Sequence, residues 1–337
     1  MKRLGSEIPL YTDRIGPAQP WQDNWLAFSN GRAALAWLLD KCDIKSTVSV
    51  CAYTCPSVPI FLRNRGMDVS IYDVGDNPII SRCIILPALF GSLPWLKYED
   101  YAPLTVVDVA QTAFGHVDFK IPRHGVVLSC PRKCTELADG AVLAISDSIG
   151  GWHTAIDGLP IAENAASAKI IARGMMDRPS CDRLHWNKYS ERKWPTTPHR
   201  MSDPSRAMLE RLDREWHRNT RQRNADSLAM YLWTPRRQMW TWKIAAPAPF
   251  CFPIFVGNPD EIIAELKPQN IFLTRLWSDA EHDPKLHPNA AWMAAHLVSL
   301  PVDQRHDVND MERIAKAVLA VAKPPPDPPE GMRRFVA

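Results

Sequence analysis

Four short stretches carry side chains that belong to chemistry rather than to a core. The run LTVVDVAQTAFG (104–115) ends its apolar residues on Asp108, and Gln111 follows three positions later. The next apolar run, GVVLSC, leads into SCPRK and delivers Ser129 and Lys133. Nearer the N-terminus, SNGRAAL puts Asn30, Gly31 and Arg32 at a helix start, and AYTC puts Tyr53 just past an apolar run. An acid in apolar surroundings can keep a ring nitrogen protonated, and a lysine can form an imine with a carbonyl. A helix start with a glycine presents N–H groups and the positive end of the helix dipole to a phosphate.

Each group has an everyday reading when taken alone. Asp108 is a turn former or cap, Lys133 a solvated charge, and Asn30-Gly31 an ordinary cap dipeptide. Phosphate, protonated pyridine and imine together describe one ligand, pyridoxal phosphate, whose protein partners are a Schiff-base lysine and an acid at the ring nitrogen. In that reading Asp108 keeps the ring nitrogen protonated, and Gln111 bonds the phenolic oxygen. Lys133 carries the aldehyde and then moves a proton between carbons.

The elements that must position these groups are legible as alternating runs. TVSVCA (47–52), VSIYDV (69–74), RCIIL (82–86), LTVVDV (104–109), GVVLSC (125–130) and AVLAI (141–145) read as buried strands. Near-continuous apolar strands separated by helices imply an α/β fold, a mainly parallel sheet covered on both faces. Ligands of such sheets bind at the carboxyl ends of the strands, where Asp108, Lys133 and the 30–32 turn all fall. NGRAALAWLLDK reads as a helix capped by Asn30, and SVPIFLRNRG as a second one ending at Gly66. ENAASAKIIARGMM looks helical, and no period is readable in 177–199. At MSDPSRAMLERLDREW a helix begins with Asp203 as cap and Pro204 at its first position, with Met208, Leu209, Leu212 and Trp216 on one apolar face. FCFPIFV, NPDEIIAEL, NIFLTRLW, HLVSLPV and VNDMERIAKAVLAVAK give a small second α/β unit. The tail PPPDPPEGMRRFVA reads as extended or mobile.

Composition narrows the classes. The 337 residues carry a net charge of +3, with acids interleaved among the bases of 206–223, which argues against nucleic acid and reads as a solvated helix face. No apolar run of about 18 residues implies a span, and no apolar signal core opens the chain, so a cytoplasmic location without membrane attachment is expected. Eight cysteines are too few for a disulfide scaffold, and the C-x3-C pairs 51/55 and 130/134 read as buried thiols. Glu281, His282, Asp283 and His287 in EHDPKLHP lack metal-ligand spacing, so no metal is expected. Trp233, Trp240 and Trp242 read as packing, and His153 as part of a glycine-rich connection.

The chain resembles the DegT-type sugar aminotransferases, a divergent branch of the aspartate-aminotransferase-like (fold type I) pyridoxal phosphate enzymes. VVDVAQTAFG is similar to that family's D-x-x-Q strand end, SNGRAAL to its phosphate turn, and SCPRKCTELADGAVL to its lysine segment. HRMSDPSRAMLERLD and LVSLPVDQRHDVNDMERIAKAV resemble its small-domain helix and closing strand–helix, so the likeness runs over about 25–323 with 146–195 unmatched. The resemblance implies a large cofactor-binding domain at 1–198, a small C-terminal domain at 199–323 and a proline-rich tail at 324–337. It implies transamination from a donor such as glutamate to a keto sugar, often nucleotide-linked, in a homodimer with shared active sites. Residue by residue, Lys133 is the imine lysine, Asp108 and Gln111 the ring partners, Asn30, Gly31, Arg32 and Ser129 the phosphate group, and Tyr53 a stacking residue. Two positions depart from the pattern: Arg32 stands where serine or threonine is usual. Pro198 stands where the partner subunit gives an asparagine, with His199 beside it. Two other readings stay open: a protein that keeps the fold as a non-catalytic or regulatory module, and a different imine-based reaction.

Overall fold

The computed structural model describes residues 2, 4–5, 8, 15–18, 21–78, 81–92, 102–149, 156–174, 188–189, 192–233, 239–243 and 248–337. His153, residues 234–238 and much of the unpatterned 177–199 stretch lie outside them.

Among the described residues, twelve strands and nine α-helices are numbered in chain order: β1 Leu4–Gly5, β2 Trp25–Phe28, β3 Val48–Cys51, β4 Val69–Tyr72, β5 Cys83–Pro87, β6 Leu104–Asp108, β7 Gly125–Ser129, β8 Ala141–Ile145, β9 Trp240–Thr241, β10 Cys251–Phe255, β11 Ile271–Phe272 and β12 Leu297–Pro301. The helices are α1 Gly31–Lys41, α2 Ser57–Asn64, α3 Gly115–Asp118, α4 Glu163–Gly174, α5 Asp203–Arg211, α6 Arg214–Leu232, α7 Pro259–Leu266, α8 Pro288–His296 and α9 Val308–Val321.

The main sheet has seven strands in the order β2-β8-β7-β6-β5-β3-β4. β4 through β7 pair in parallel, while β8 runs antiparallel to both β7 and β2. The six strands read from sequence all form; five are buried almost throughout, and β4 at the sheet edge is only partly buried. Two reversals cancel, so β2 and β7 point the same way and their carboxyl ends share one edge. β6 lies next to β7, with Asp108 in register with Leu128. One core cluster packs α1 and α2 on one face of this sheet, through Leu35, Leu38, Leu39, Phe61 and Leu62.

The second unit is a three-stranded antiparallel sheet, β12-β10-β9, backed by α6, α7 and α9 around Leu228, Ile262, Met311 and Ile314. Two boundaries differ from the sequence reading. Leu4 and Gly5, inside the 1–198 span, pair in parallel with Ile271 and Phe272 of the later unit. A glycine is required there: Gly5 has φ +84, and a Cβ would lie 2.2 Å from the Phe272 carbonyl oxygen. The proline-rich tail is docked rather than mobile. Met332 and Val336 are buried, the Phe335 ring stacks 5.3 Å from Trp242, and Ala337 exchanges backbone bonds with Thr241. The tail's last apolar residues cover the outer edge of β9, which the prolines before them did not reveal.

The expected helix with Met208, Leu209, Leu212 and Trp216 on one face is two helices. Leu212 turns extended after Arg211, and Asp213 caps α6 by accepting from Trp216 N–H at 2.9 Å. The cap of α5 is Ser202, one residue before the expected Asp203. No helix among the described residues is long and apolar enough to cross a membrane.

Candidate active site

β6 delivers Asp108 at its last residue, partly buried, with Oδ1 accepting the Ala110 N–H at 2.9 Å and Oδ2 left available. That short bond is the turn that ends the strand, and it fixes the carboxylate's orientation. Burial raises the Asp108 carboxyl above its ordinary range, opposed by the charge of Lys133 and the Ala110 N–H. Lys133 lies on the 3₁₀ turn Pro131–Lys133 that follows β7, its N–H bonded to the Cys130 carbonyl at 3.0 Å. Burial is the largest influence on its ammonium and lowers it. Cys130, Asp108 and Cys55 together outweigh that and leave it above the ordinary value. Burial also pushes the Cys130 thiol up, opposed by the charge of Lys133.

Gln111 is buried, and its amide is oriented by one bond. The Phe90 N–H donates to Oε1, so that atom is the carbonyl oxygen and Nε2 faces the other way. Nε2 is buried without a hydrogen-bond partner. Ser129, wholly buried at the end of β7, has an unpartnered Oγ as well. Buried polar atoms are paired in the great majority of cases, so two orphans beside Asp108 and Lys133 mark a place where a ligand supplies the missing acceptor.

At the 30–32 turn, Asn30 caps α1 as read from the sequence: Oδ1 accepts the N–H groups of Arg32 (2.9 Å) and Ala33 (3.1 Å). Its Nδ2 donates to the Pro195 carbonyl at 3.2 Å. Gly31 lies against the lysine turn, where a Cβ would be 3.2 Å from Cys130 Sγ. The segment carrying Pro198 and His199 runs alongside: Ser29 N–H donates to the His199 carbonyl at 3.0 Å. Arg32 is partly buried beside this turn. The structure therefore brings together Asn30, Gly31, Ser129 and Lys133, with Asp108 on the neighbouring strand.

Tyr53 is placed elsewhere. It is fully buried, its hydroxyl donated to the Leu276 carbonyl and its ring set against Phe90 and Trp277 at 6.4 and 5.7 Å. A side chain with no free surface and no unmet polar atom has nothing to offer a cofactor ring, so the stacking expected of Tyr53 is corrected to packing.

Sequence reading missed what holds the lysine turn. Arg221 of α6, 1% exposed, donates to the carbonyls of Pro249, Phe250 and Cys134. Arg173 of α4 donates to those of Thr135, Leu137 and Arg132. His217 Nδ1 donates to the Asp213 carbonyl at 2.7 Å, and its Nε2 lies 3.1 Å from Glu136, which also takes Gln304 Nε2 at 3.0 Å. Asp139 accepts from Ser202 through both N–H and Oγ. The basic run 206–223 is thus only partly a solvated face. The signal was there, because 217, 220, 221, 224 and 228 are spaced as one buried helical stripe. No group of three or more possible metal ligands occurs among the described residues, and Glu281 pairs with Arg63.

The sequence matches no protein-family model and no curated protein. Solved structures do match it along almost its whole length. A DegT DnrJ EryC1 StrS aminotransferase from Brucella abortus is 16% identical, with a TM-score of 0.61, covering 88% of this chain and 85% of its own. The sugar aminotransferase CalS13 from Micromonospora echinospora is 14% identical, with a TM-score of 0.60, over 88% and 87%. The sugar aminotransferase Spr1654 from Streptococcus pneumoniae, in its PLP form, is 12% identical, with a TM-score of 0.62, over 94% and 100%. The fold is the aspartate-aminotransferase-like type I fold. This fold presents its ligands at the strand ends where Asp108, Ser129 and Lys133 stand, which agrees with the placement rule for parallel sheets.

Proposed function

We propose that the chain is a pyridoxal-phosphate-dependent aminotransferase acting on a keto sugar. The observation that carries the reading is the pair of unpartnered buried atoms, Gln111 Nε2 and Ser129 Oγ, flanking an acid and a lysine on adjacent strand ends. Those atoms fit the cofactor: one donor for a phenolate oxygen, one for a phosphate oxygen. When bound, pyridoxal phosphate supplies an electron-accepting ring that stabilises the negative charge left at carbon when a proton departs.

The residues then divide the work. Asp108 Oδ2 accepts the hydrogen of the ring nitrogen, with Oδ1 pinned by Ala110. Gln111 Nε2 donates to the ring oxygen, with its direction fixed by Phe90. Lys133 would give the amine that holds the cofactor aldehyde and, once freed, would carry a proton between the substrate carbon and the former aldehyde carbon on the other side of the shared nitrogen. The amino donor in this reading is glutamate and the acceptor a nucleotide-linked keto sugar, as the sequence resemblance implies; the names of similar structures support only the sugar. The reading includes a homodimer with shared active sites, as the sequence resemblance implies.

The test is an absorption spectrum with pyridoxal phosphate before and after borohydride, with the modified residue mapped by mass spectrometry. A visible band and a reduced adduct on Lys133, both lost in Lys133→Ala with the fold retained, are expected. An adduct elsewhere, or none, removes the assignment. Because Lys133 is held above its ordinary value, the free amine falls tenfold per pH unit below that value. The rate of cofactor uptake should therefore rise with pH across the neutral range, and a flat profile would contradict the role.

A further inference from the structure

The edge where α1 begins holds a positive charge that the described residues do not neutralise. Arg132 sits between Pro131 and Lys133, and its guanidinium lies 4.9 Å over the ring of Trp194. Its Nε is buried without a hydrogen-bond partner, and no described carboxylate pairs with it. Leaving a partly buried guanidinium without an anion is costly, and packing against an aromatic face recovers only part of that cost.

Its surroundings define a single place. Trp194 is 4% exposed, its own indole Nε1 has no partner, and the next residue's carbonyl takes the Asn30 Nδ2 bond at 3.2 Å. On the other side, Cys130 Sγ touches Gly31, and Ser129 brings its unpartnered Oγ. The helix start adjoins Pro195 through Asn30 and Cys130 through Gly31, with most of its donors already used. Asn30 Oδ1 holds the N–H groups of Arg32 and Ala33, and Ala34 N–H bonds the Asn30 carbonyl at 3.1 Å. A dianion arriving there meets a helix end whose first-turn donors are largely taken, so it needs a fixed cation close by.

We infer that Arg132, its guanidinium over the ring of Trp194, binds the phosphate of the ligand, with Ser129 as a neutral donor. This rests on the cofactor reading above and adds a residue to it. In this chain the charge at the phosphate comes from the lysine turn, and Trp194 fixes the guanidinium plane so that its fork meets two phosphate oxygens.

The experiment titrates the protein with pyridoxal phosphate, with pyridoxal, and with inorganic phosphate, for the native chain, Arg132→Gln, Arg132→Lys and Ser129→Ala. Binding is read from tryptophan fluorescence and absorbance. Arg132→Gln should weaken pyridoxal phosphate by about 10- to 100-fold, leave pyridoxal unchanged and abolish competition by inorganic phosphate. Arg132→Lys should recover part of the loss, and Ser129→Ala should lose less than Arg132→Gln. Unchanged affinity in Arg132→Gln overturns the inference, as does an equal loss for pyridoxal, which would make Arg132 a prop for the turn. A loss seen only when glutamate is added also overturns it, moving Arg132 to the donor carboxylate. If the native chain takes up no pyridoxal phosphate, the cofactor reading fails by itself. Inorganic phosphate bound by the native chain and lost in Arg132→Gln then still supports the oxyanion site, and no phosphate binding ends it.

Discussion

The two sides of the lysine turn are built in opposite ways. After Lys133, residues 134–139 are clamped: Arg221 and Arg173 each hold three carbonyls, Glu136 holds His217 and Gln304, and Asp139 holds Ser202. Before it, Ser129 Oγ, Gln111 Nε2 and Arg132 Nε are just as hidden and have no partner. The same chain that spends buried charges on holding a loop leaves these donors unmet a few residues away. Buried polar groups are paired in the great majority of cases, and unmet donors next to an acid and a lysine are where a ligand has most to supply. The clamp keeps the Lys133 turn in place, and in the proposed reading the open side defines what its amine reacts with.

The first way to break that contrast is to cut the clamp. Arg221→Met leaves three buried carbonyls without their donor and should cost about 3–5 kcal/mol in denaturant unfolding. A loss below about 1 kcal/mol would mean that the turn is held by packing alone.

A second test uses orphan atoms that face only protein. His116 is buried with both ring nitrogens unpartnered, its ring 4.7 Å from that of Trp25. Burial, with Arg214 adding to it, lowers its imidazolium to about 3. The folded chain thus keeps it neutral where the unfolded chain binds a proton, so its contribution to stability is lost as pH falls from about 6.5 toward 3. The slope is about 1.4 kcal/mol per pH unit. His116→Phe should flatten that acid limb and leave cofactor binding intact. An unaltered limb would show that His116 reaches a partner when folded.

The smallest expected effect is the most telling for the open side. Ser129→Ala deletes an oxygen that bonds nothing in the protein, so stability should change by less than about 0.5 kcal/mol while pyridoxal phosphate affinity drops. A clear loss of stability instead would place Ser129 on the clamped side of the comparison.

Much of the fold was legible because buried strands announce themselves. VVLSC and VVDV are apolar on both faces, and only a sheet covered on both sides pays their burial back. The cap at Asn30 and the Asp108 strand end could be read from residue type and position, since both act through bonds to backbone only two or three residues away. Tyr53 was misread because an aromatic residue at a strand end has the same pattern whether it faces a ligand or Phe90 and Trp277. The clamp was missed because its bonds join residues far apart in sequence. Arg221 and Cys134 are brought together only when α6 packs against the main sheet. The docked tail was missed for the same reason, since prolines report on their own backbone but not on the Trp242 ring that Phe335 finds.

By itself, then, the sequence determined the strands, the helix starts and the residue types at the carboxyl edge, all properties of local backbone preference and one-dimensional apolar pattern. Strand order, two cancelling reversals and the packing of α6 decided the rest: which buried polar atoms meet each other and which are left unmet. That distinction depends on distances between chain segments, and no local pattern encodes it.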